Sequence, residues 1–437
     1  MRGLAVLLDS LGLRVSGCDN AGVSGLSDLI DRGIDIHGSH DPAHVDNVDL
    51  VVRSSAVPED SAEIARARQA GVRTLRRARA LGAALNGRPL LGIAGTHGKT
   101  TITAMAGYAL EAAGLDPLVM VGGAVARWRG FARPGDGPAV VEADEFDRSF
   151  LELSPTLALV SSLEPEHLDT YGGFDAARAA FAEFAERAAA EVGLLYCADD
   201  RGALELGSAV AGARAYGYAS DAWCRVEPAG TPGGFPDRFV WPGGVVEVRL
   251  RVPGRHNLQN AAGAFAAGLA LGADPADLAV GLGEFPGVGR RLEGLGTWGD
   301  VTIIDDYAHH PTEVRASIDA LRSVHADARI VVIFQPHLFS RTRDFAGEFA
   351  AALDAADDAR VLAIYPSREA PIEGVTSDLI LARGRALRAI DPPAAVELAI
   401  AARSAGTPTV VAFMGAGDVT GLARAAAQRL VDDAVGT

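Results

Sequence analysis

The sequence predicts an α/β protein of two or three domains, and three observations carry that reading. At 437 residues the chain is longer than one hydrophobic core usually serves. Apolar strand-like runs alternate with Ala-rich helical stretches from end to end, the pattern of βα units around parallel sheets. Two punctuated stretches then divide the chain. In "ALNGRPLLGIAG", Asn86-Gly87 and Pro89 precede a new strand, and "GEFPGVGRRLEGLG", residues 283 to 296, reads as a linker. The resulting blocks are 1–87, 88–286 and 287–437.

The elements follow in order. "MRGLAVLLDSLGLRVSGCDNAG" reads as a helix and then a strand ending at Asp19. In the second block "LLGIAG" ends a buried strand, and "TTITAMAGYALEAAG" reads as a helix closed by Gly114. A strand-like run at Ala139–Val141 leads into "EADEFDRSF", and "LALVSSLEPEHLDTYGG" reads as a strand ending in Glu164, Glu166, His167 and Asp169. The third block holds strand-like runs at Val301–Ile304, Ile330–Phe334, Val361–Ile364 and Thr409–Phe413, each before a polar or glycine-rich turn. Ligands of open α/β sheets gather at the carboxyl ends of the strands, so these turns are where chemistry belongs.

Composition narrows the function. A formal charge of −16 argues against general binding to nucleic acid or to membrane surfaces, both of which need basic surface. Cys18, Cys197 and Cys224 lie far apart with no metal spacing, which suits a reducing compartment. The weakly polar stretch around Ala261–Ala273 is too short to span a bilayer, and the N-terminus does not resemble a signal peptide. A cytoplasmic protein, monomer or homodimer, is the expectation. Of 40 Lys plus Arg, one is lysine: Lys99, inside "GIAGTHGKTT".

That stretch reads as a phosphate cradle. Gly95 and Gly98 let backbone N–H groups turn towards an anion at a helix N-terminus, with Thr96, His97 and Thr101 alongside. Lys99 bridges β- and γ-phosphates, and the Thr100 hydroxyl ligates Mg²⁺. The position six before Lys99 is Ile93 rather than the usual glycine. Strand, Gly-Lys-Thr-Thr and helix together still predict ATP binding. Two acidic turns, with Glu142, Asp144, Glu145 and Asp147 in one and Glu164, Glu166 and Asp169 in the other, reach the same edge if their strands flank the phosphate-loop strand. Mg²⁺ prefers oxygen, so chemistry alone favours a carboxylate there over His167.

"GTHGKTT", "EADEFDRSF", "LEPEHLDTY", "PGRHNLQNAAGA", "DDYAHHPTEV" and "FQPHLFSRTRDF" occur in order over nearly the whole chain, and together they resemble the Mur ligases. The resemblance implies a Rossmann-like N-terminal domain, a central P-loop ATPase domain and a Rossmann-like C-terminal domain. It implies ATP and two Mg²⁺, with UDP-N-acetylmuramate and L-alanine as substrates. The substrate carboxylate attacks the γ-phosphate, and the amine then attacks the acyl phosphate. Glu142 and His167 become metal ligands by resemblance. Several relatives carry a carbamylated lysine beside the metal, and this chain has no lysine to spare for it.

By the same resemblance His256 and Asn260 lie near the adenine, while Asn257 is open between that role and capping its helix. Arg291 reaches the nucleotide phosphates, and Asp305 or Asp306 holds the ribose. Tyr307 and His309 face the incoming amino acid, and Arg341 pairs with its carboxylate. Pro311 starts a helix, His310 caps or packs, and Arg343 starts the next helix. Leu338 stands where many relatives place an arginine, which leaves glycine and serine open beside alanine. Ser54 and Ser55 in "RSSAVPED" are a wall of the UDP-sugar site. Relatives begin earlier, with a strand and a glycine-rich turn that holds UDP, so Met1 reads as an internal methionine of that turn. Two other readings stand beside the ligase: a recycling ligase joining the same sugar to a ready-made peptide, and a nucleotide-binding protein idle for want of that turn.

Overall fold

The computed structural model describes all residues except Ala21, Ser24, Asn86, His167, Ala190, 230–235, Arg368 and 436–437. The chain forms two compact units, Met1–Leu250 with Gln259–Phe285, and Arg251–Leu258 with Pro286–Thr437. No helix among the described residues is long and apolar enough to cross a membrane.

The first unit is built on a ten-stranded sheet. Its spatial order is Gly244–Val248, Asp237–Trp241, Cys224–Glu227, Arg214–Gly217, Gly193–Cys197, Leu157–Val160, Leu90–Ala94, Ala139–Glu142, Leu118–Val125 and Gly130–Arg133. The strands from Cys224–Glu227 to Leu118–Val125 are parallel, as the βα alternation predicts. Both edges are antiparallel, which that alternation did not predict. At the first edge "FVWPGGVVEV" pairs Trp241 with Gly244, so Pro242 and Gly243 form a two-residue hairpin turn with no crossover helix. The helix Lys99–Ala112 is buried along nearly its whole length, and Gly114 (φ 72°) follows its end.

The first block contributes two separate parallel pairs, Ser16–Cys18 with Asp35–His37 and Leu50–Arg53 with Arg73–Arg76. Its helix Arg77–Leu85 lies against the segment Phe146–Glu152 so closely that a Cβ on Gly82 would stand 2.1 Å from the Glu152 carbonyl oxygen.

The second unit carries a six-stranded sheet, in order Glu293–Trp298, Val301–Asp306, Thr409–Met414, Arg329–Phe334, Asp358–Val361 and Arg388–Ala389. Alternate residues serve opposite faces, as the strand period demands. Ile304, Val332, Phe334 and Met414 pack on the helices Pro311–Val324 and Phe339–Leu353, through Ile318, Leu321 and Phe349. Ile303, Val331, Ile333 and Phe413 pack on the helices Pro392–Ala401 and Val419–Val435, through Ala399, Ala423 and Leu430.

Two expectations need correction here. The stretch 283 to 296 is not linker throughout, because Glu293–Trp298 pairs antiparallel with Val301–Asp306 across a bulge at Gly294/Gly296. Its glycines serve that irregular ladder, and they disguised a strand as a connector. The strand expected at Val361–Ile364 is Asp358–Val361. Its partner strand stops at Phe334, shortly before Pro336, so the ladder closes at the pair Phe334–Val361. The alternation of Asp358 and Arg360 hid its polar first half.

Gly82→Val drives side-chain atoms into a backbone carbonyl that has no freedom to yield. It is expected to cost about 1–3 kcal/mol, the usual range for overpacking, read as a lower midpoint in urea unfolding.

Candidate active site

The strand Leu90–Ala94 runs between Ala139–Glu142 and Leu157–Val160, with Leu90 beside Ala139 and Leu91 beside Leu157. Both acidic turns therefore leave the sheet next to the phosphate loop, the arrangement their sequence predicts. The loop is fastened to the turn after Val160. Thr96 N–H donates to the Ser162 carbonyl (3.1 Å), His97 N–H to Ser162 Oγ (2.8 Å), and Glu164 N–H to Thr96 Oγ1 (2.9 Å). The His97 ring lies 3.4 Å from Glu164 Oε2. Gly95 (φ 140°) and Gly98 (φ 83°) hold backbone angles that suit glycine. Space forbids a side chain as well. A Cβ on Gly95 would meet Ser161 Oγ at 2.2 Å, and one on Gly98 would meet Asn260 Oδ1 at 2.7 Å. Asn260 thus touches the phosphate loop from the helix Arg255–Ala270.

Lys99 is folded back into the loop, donating to the Gly95 and Thr96 carbonyls, and it pairs with Glu145 Oε1 at 2.8 Å. Burial alone would lower the pKa of this ammonium. The carboxylates of Glu145, Asp144 and Glu142 outweigh it, and Lys99 is held firmly charged. Burial pushes the Glu145 carboxyl up to about 7 despite Lys99, and its second oxygen, Oε2, has no hydrogen-bond partner among the described residues. Beside it Thr100 Oγ1 lies 3.0 Å from Glu142 Oε2, which also accepts from Gly122 N–H at 2.7 Å. Thr101 is buried in the first turn of the helix. His167, the other expected metal ligand, lies outside the described residues.

The acidic run is divided among distinct jobs. Asp144 accepts from Phe146 N–H in its own turn, and Asp147 accepts from Ser55 Oγ at 2.6 Å. Ser54 Oγ accepts from Ala56 N–H (3.1 Å), so both serines of "RSSAVPED" already hold local bonds. A cavity of about 440 Å³ in this unit is lined by Arg2, Arg77, Gly122, Glu142 and Asp144. Arg77 Nε is buried there with no hydrogen-bond partner among the described residues.

In the second unit the end of Val301–Asp306 supplies a second cluster. Arg290 and Arg291 stack over the Tyr307 ring at 4.6 and 5.1 Å, and Arg291 pairs with Glu313 at 3.5 Å. His309 donates its backbone N–H to Glu313 Oε2 (3.0 Å), and its ring lies edge-on to Tyr307 and to His337. His337 stacks on Tyr365 and lies 3.2 Å from Arg341 Nη1. Tyr307, His309 and Arg341, predicted together, are therefore linked through His337. The helix carrying Arg341 spans Phe339–Leu353, so Arg343 lies inside it rather than starting one, and pairs with Asp344. Leu338 precedes it at φ 71°, and the Glu369 carboxylate accepts from the Phe339 and Ser340 amides at the helix start.

Other predicted residues are spent inside this unit. Asp306 is buried and takes hydrogen bonds from Ser317 Oγ and Ala308 N–H; burial pushes it up to about 6. Pro311 starts its helix as predicted, and His310 packs against Phe345. Asn257 sits in the third position of a helix that begins at Arg255, and its Nδ2 donates to the Pro253 carbonyl at 2.6 Å. It is a donor to a carbonyl and so does not cap the helix amides. Burial, with Arg291 adding to it against Glu313, pushes the His256 imidazole down to about 4.

Sequence reasoning missed Glu145 as the partner of Lys99, Ser161 and Ser162 as anchors of the loop, and Glu313 and His337 in the second cluster. Glu145 and His337 stood inside quoted motifs. The serines carried no signal, because ordinary hydroxyl residues after a strand are common.

A strand–loop–helix phosphate cradle with an oxygen-rich edge, joined in one chain to an Arg/His/Tyr cluster on a second α/β sheet, defines an ATP-using ligase fold. Three family descriptions match in order: "Mur ligase family, catalytic domain" over residues 1–88, "Mur ligase middle domain" over 93–268, and "Mur ligase, glutamate ligase domain" over 290–417. The chain belongs to the Mur ligase family. Within it, the chain is 44% identical over 429 residues to the UDP-N-acetylmuramate–L-alanine ligase of Paenarthrobacter aurescens, covering 96% of this chain and 92% of that one. It is 40% identical over 441 residues to the protein of the same name from Chlorobaculum tepidum, covering 97% and 92%. Among solved structures it resembles the UDP-N-acetylmuramate-alanine ligase of Thermotoga maritima, with a TM-score of 0.81 and 29% identity over 99% of this chain and 97% of that one.

Two outcomes follow from this geometry. Gly98→Ala places a methyl group against Asn260 at a positive φ, and ATP affinity measured by calorimetry is expected to fall at least about tenfold, a loss of about 1.4 kcal/mol. The second concerns pH. His256 titrates near 4 when folded and near 6.5 when unfolded, so the unfolded chain takes up the proton first as pH falls. Its contribution to stability is present above about 6.5 and is lost towards 4. Asp306, raised to about 6, works in the opposite sense over the same range, so the wild type alone shows a reduced slope. The difference isolates His256: from pH 7 to pH 5 the wild type is expected to lose about 2 kcal/mol more than His256→Asn in urea unfolding.

Proposed function

We propose that this chain is an ATP-dependent ligase that joins L-alanine to the lactyl carboxylate of UDP-N-acetylmuramate, in the cytoplasmic synthesis of peptidoglycan precursors. The observation that carries it is the chain's one lysine, held between phosphate-loop carbonyls and Glu145, with Thr100 and Glu142 at its side. The blocks 1–87, 88–286 and 287–437 are assigned to the UDP-sugar, the nucleotide and the amino acid.

A carboxylate is a poor electrophile, and phosphorylation supplies its leaving group. A carboxylate oxygen of the sugar bonds to the γ-phosphorus as the bridging bond to ADP breaks, giving an acyl phosphate. The alanine amine then bonds to the carbonyl carbon, and phosphate leaves from the tetrahedral intermediate. Bringing two anions together requires fixed positive charge at the transferring group. Lys99 supplies it by exchanging Glu145 and the loop carbonyls for phosphate oxygens. The orphan amides at the start of Lys99–Ala112 receive the same phosphates.

The hydroxyl of Thr100 and the carboxylate of Glu142 are the hard oxygen donors that Mg²⁺ takes, and a Cβ on Gly122 would strike Glu142 Oε2 at 2.5 Å, so the carboxylate fits a shaped notch. When bound, the ion neutralises phosphate charge. The cavity with Arg2 and Arg77 beside Glu142 suits an anionic sugar nucleotide, since Arg77 Nε lacks a partner among the described residues. The Arg341 fork suits the alanine carboxylate, with Tyr307 and His309 alongside.

Phosphate release from ATP and Mg²⁺, with UDP-N-acetylmuramate and L-alanine added singly and together, tests the reading. Release is expected only with both, and release with a tripeptide acceptor in place of alanine would move the assignment to the recycling reaction. Lys99→Arg is expected to lower turnover at least about 100-fold with unchanged circular dichroism; retained turnover would count against the mechanism.

A further inference from the structure

Four donors that the ligation chemistry leaves unused meet in the first block. Cys18 ends the strand Ser16–Cys18, His40 and His44 follow the strand Asp35–His37, and Glu63 lies in the first turn of the helix Ala62–Ala70. Cys18 Sγ is 3.2 Å from His40 Nδ1 and 3.2 Å from Glu63 Oε1. His40 Nδ1 is 3.0 Å from Glu63 Oε2, and His44 Nδ1 is 3.0 Å from Glu63 Oε1, which also accepts from Asp41 N–H. One donor atom each from Cys18, His44 and Glu63 lies within 4.8 Å of the other two.

Those spacings are close to the edges of a metal coordination shell. With Zn–N and Zn–O near 2.0–2.1 Å and Zn–S near 2.3 Å, neighbouring ligands of a tetrahedral ion stand roughly 3.3–3.6 Å apart. A thiol, an imidazole and a carboxylate are a borderline-soft set, suited to Zn²⁺ and poor for Mg²⁺ or Ca²⁺. His37 stacks on His44 at 4.2 Å with 12° between the rings and limits how that ring can turn.

The geometry points to a structural binding site for a zinc-class divalent cation, formed by Cys18, His44 and Glu63, with His40 paired to Glu63 beside it. On binding, the Cys18 S–H bond breaks, its proton goes to solvent, and the thiolate bonds to the metal with no change of oxidation state. The site joins the Ser16–Cys18 and Asp35–His37 pair to the helix that links the separate pair Leu50–Arg53 and Arg73–Arg76. The ion therefore acts as a clamp between two sheets that share no ladder.

The test uses the full chain, stripped with a chelator, desalted and titrated with Co²⁺. The expected result is a sulfur-to-cobalt charge-transfer band that saturates at one equivalent, is displaced by Zn²⁺ and is absent in Cys18→Ser. Zn²⁺ should raise the thermal midpoint of the wild type and leave that of Cys18→Ser unmoved. His44→Gln should weaken cobalt affinity at least about tenfold, the loss typical even for disturbed metal-site partners. No charge-transfer band, or a band that survives Cys18→Ser, overturns the site. If Cys18→Ser does not fold, His44→Gln decides: unchanged cobalt affinity there also overturns it.

Discussion

A buried ammonium must be answered by carboxylate, and that constraint organises the first unit. Lys99 is drawn to Glu145, Glu145 is held in place through its own backbone carbonyl by Tyr171, and the loop carbonyls close the remaining space around Nζ. Glu142 answers to Thr100 and Gly122 on the other side of the same turn. Sheet order makes this possible, because the strand before the loop runs between the two strands whose turns carry the acids. Without nucleotide the positive charge is stored against Glu145. The second oxygen of Glu145 has no hydrogen-bond partner among the described residues.

The second unit meets a different requirement, that of presenting a planar cation and aromatic edges at the end of a sheet. Its two cores fill opposite faces of the sheet through alternating side chains. Tyr307, His309, His337 and Arg341 rest on the strand ends, while Arg290 fixes the Tyr307 ring from above its face and bonds to the Gly415 carbonyl. Leu338 accepts a positive φ so that the chain can turn from the strand into the helix bearing Arg341. Leucine at this N-cap position offers no side-chain acceptor, and Glu369, distant in sequence, accepts from the Phe339 and Ser340 amides instead.

Much of this was readable beforehand, because periodicity and glycine placement are local. The strand–loop–helix around Lys99, the strands Val301–Asp306 and Thr409–Met414, and the meeting of Tyr307, His309 and Arg341 all followed from motifs. What escaped was partly non-local and partly hidden by short turns. Glu145 was one acid among four, and only the fold chooses which of them faces Lys99. Glu293–Trp298 hid behind glycines that a bulged edge strand needs, and the hairpins at the first sheet's edges were too short to interrupt the βα rhythm. Asp306 was visible as a strand-end acid, yet its enclosure by Ser317 depends on a helix that packs from further along the chain.

The replacement of lysine by arginine everywhere but the phosphate loop has a consequence for handling the molecule. Besides its α-amino group, the chain offers one primary amine, and that amine is folded into the loop against Glu145. Amine-directed dyes, crosslinkers and acylating agents therefore find no exposed lysine, and Lys99, charged and paired with Glu145 at 2.8 Å, is a poor nucleophile for them. A reagent usually chosen for indiscriminate labelling thus becomes, on this protein, one with almost no side chain to mark.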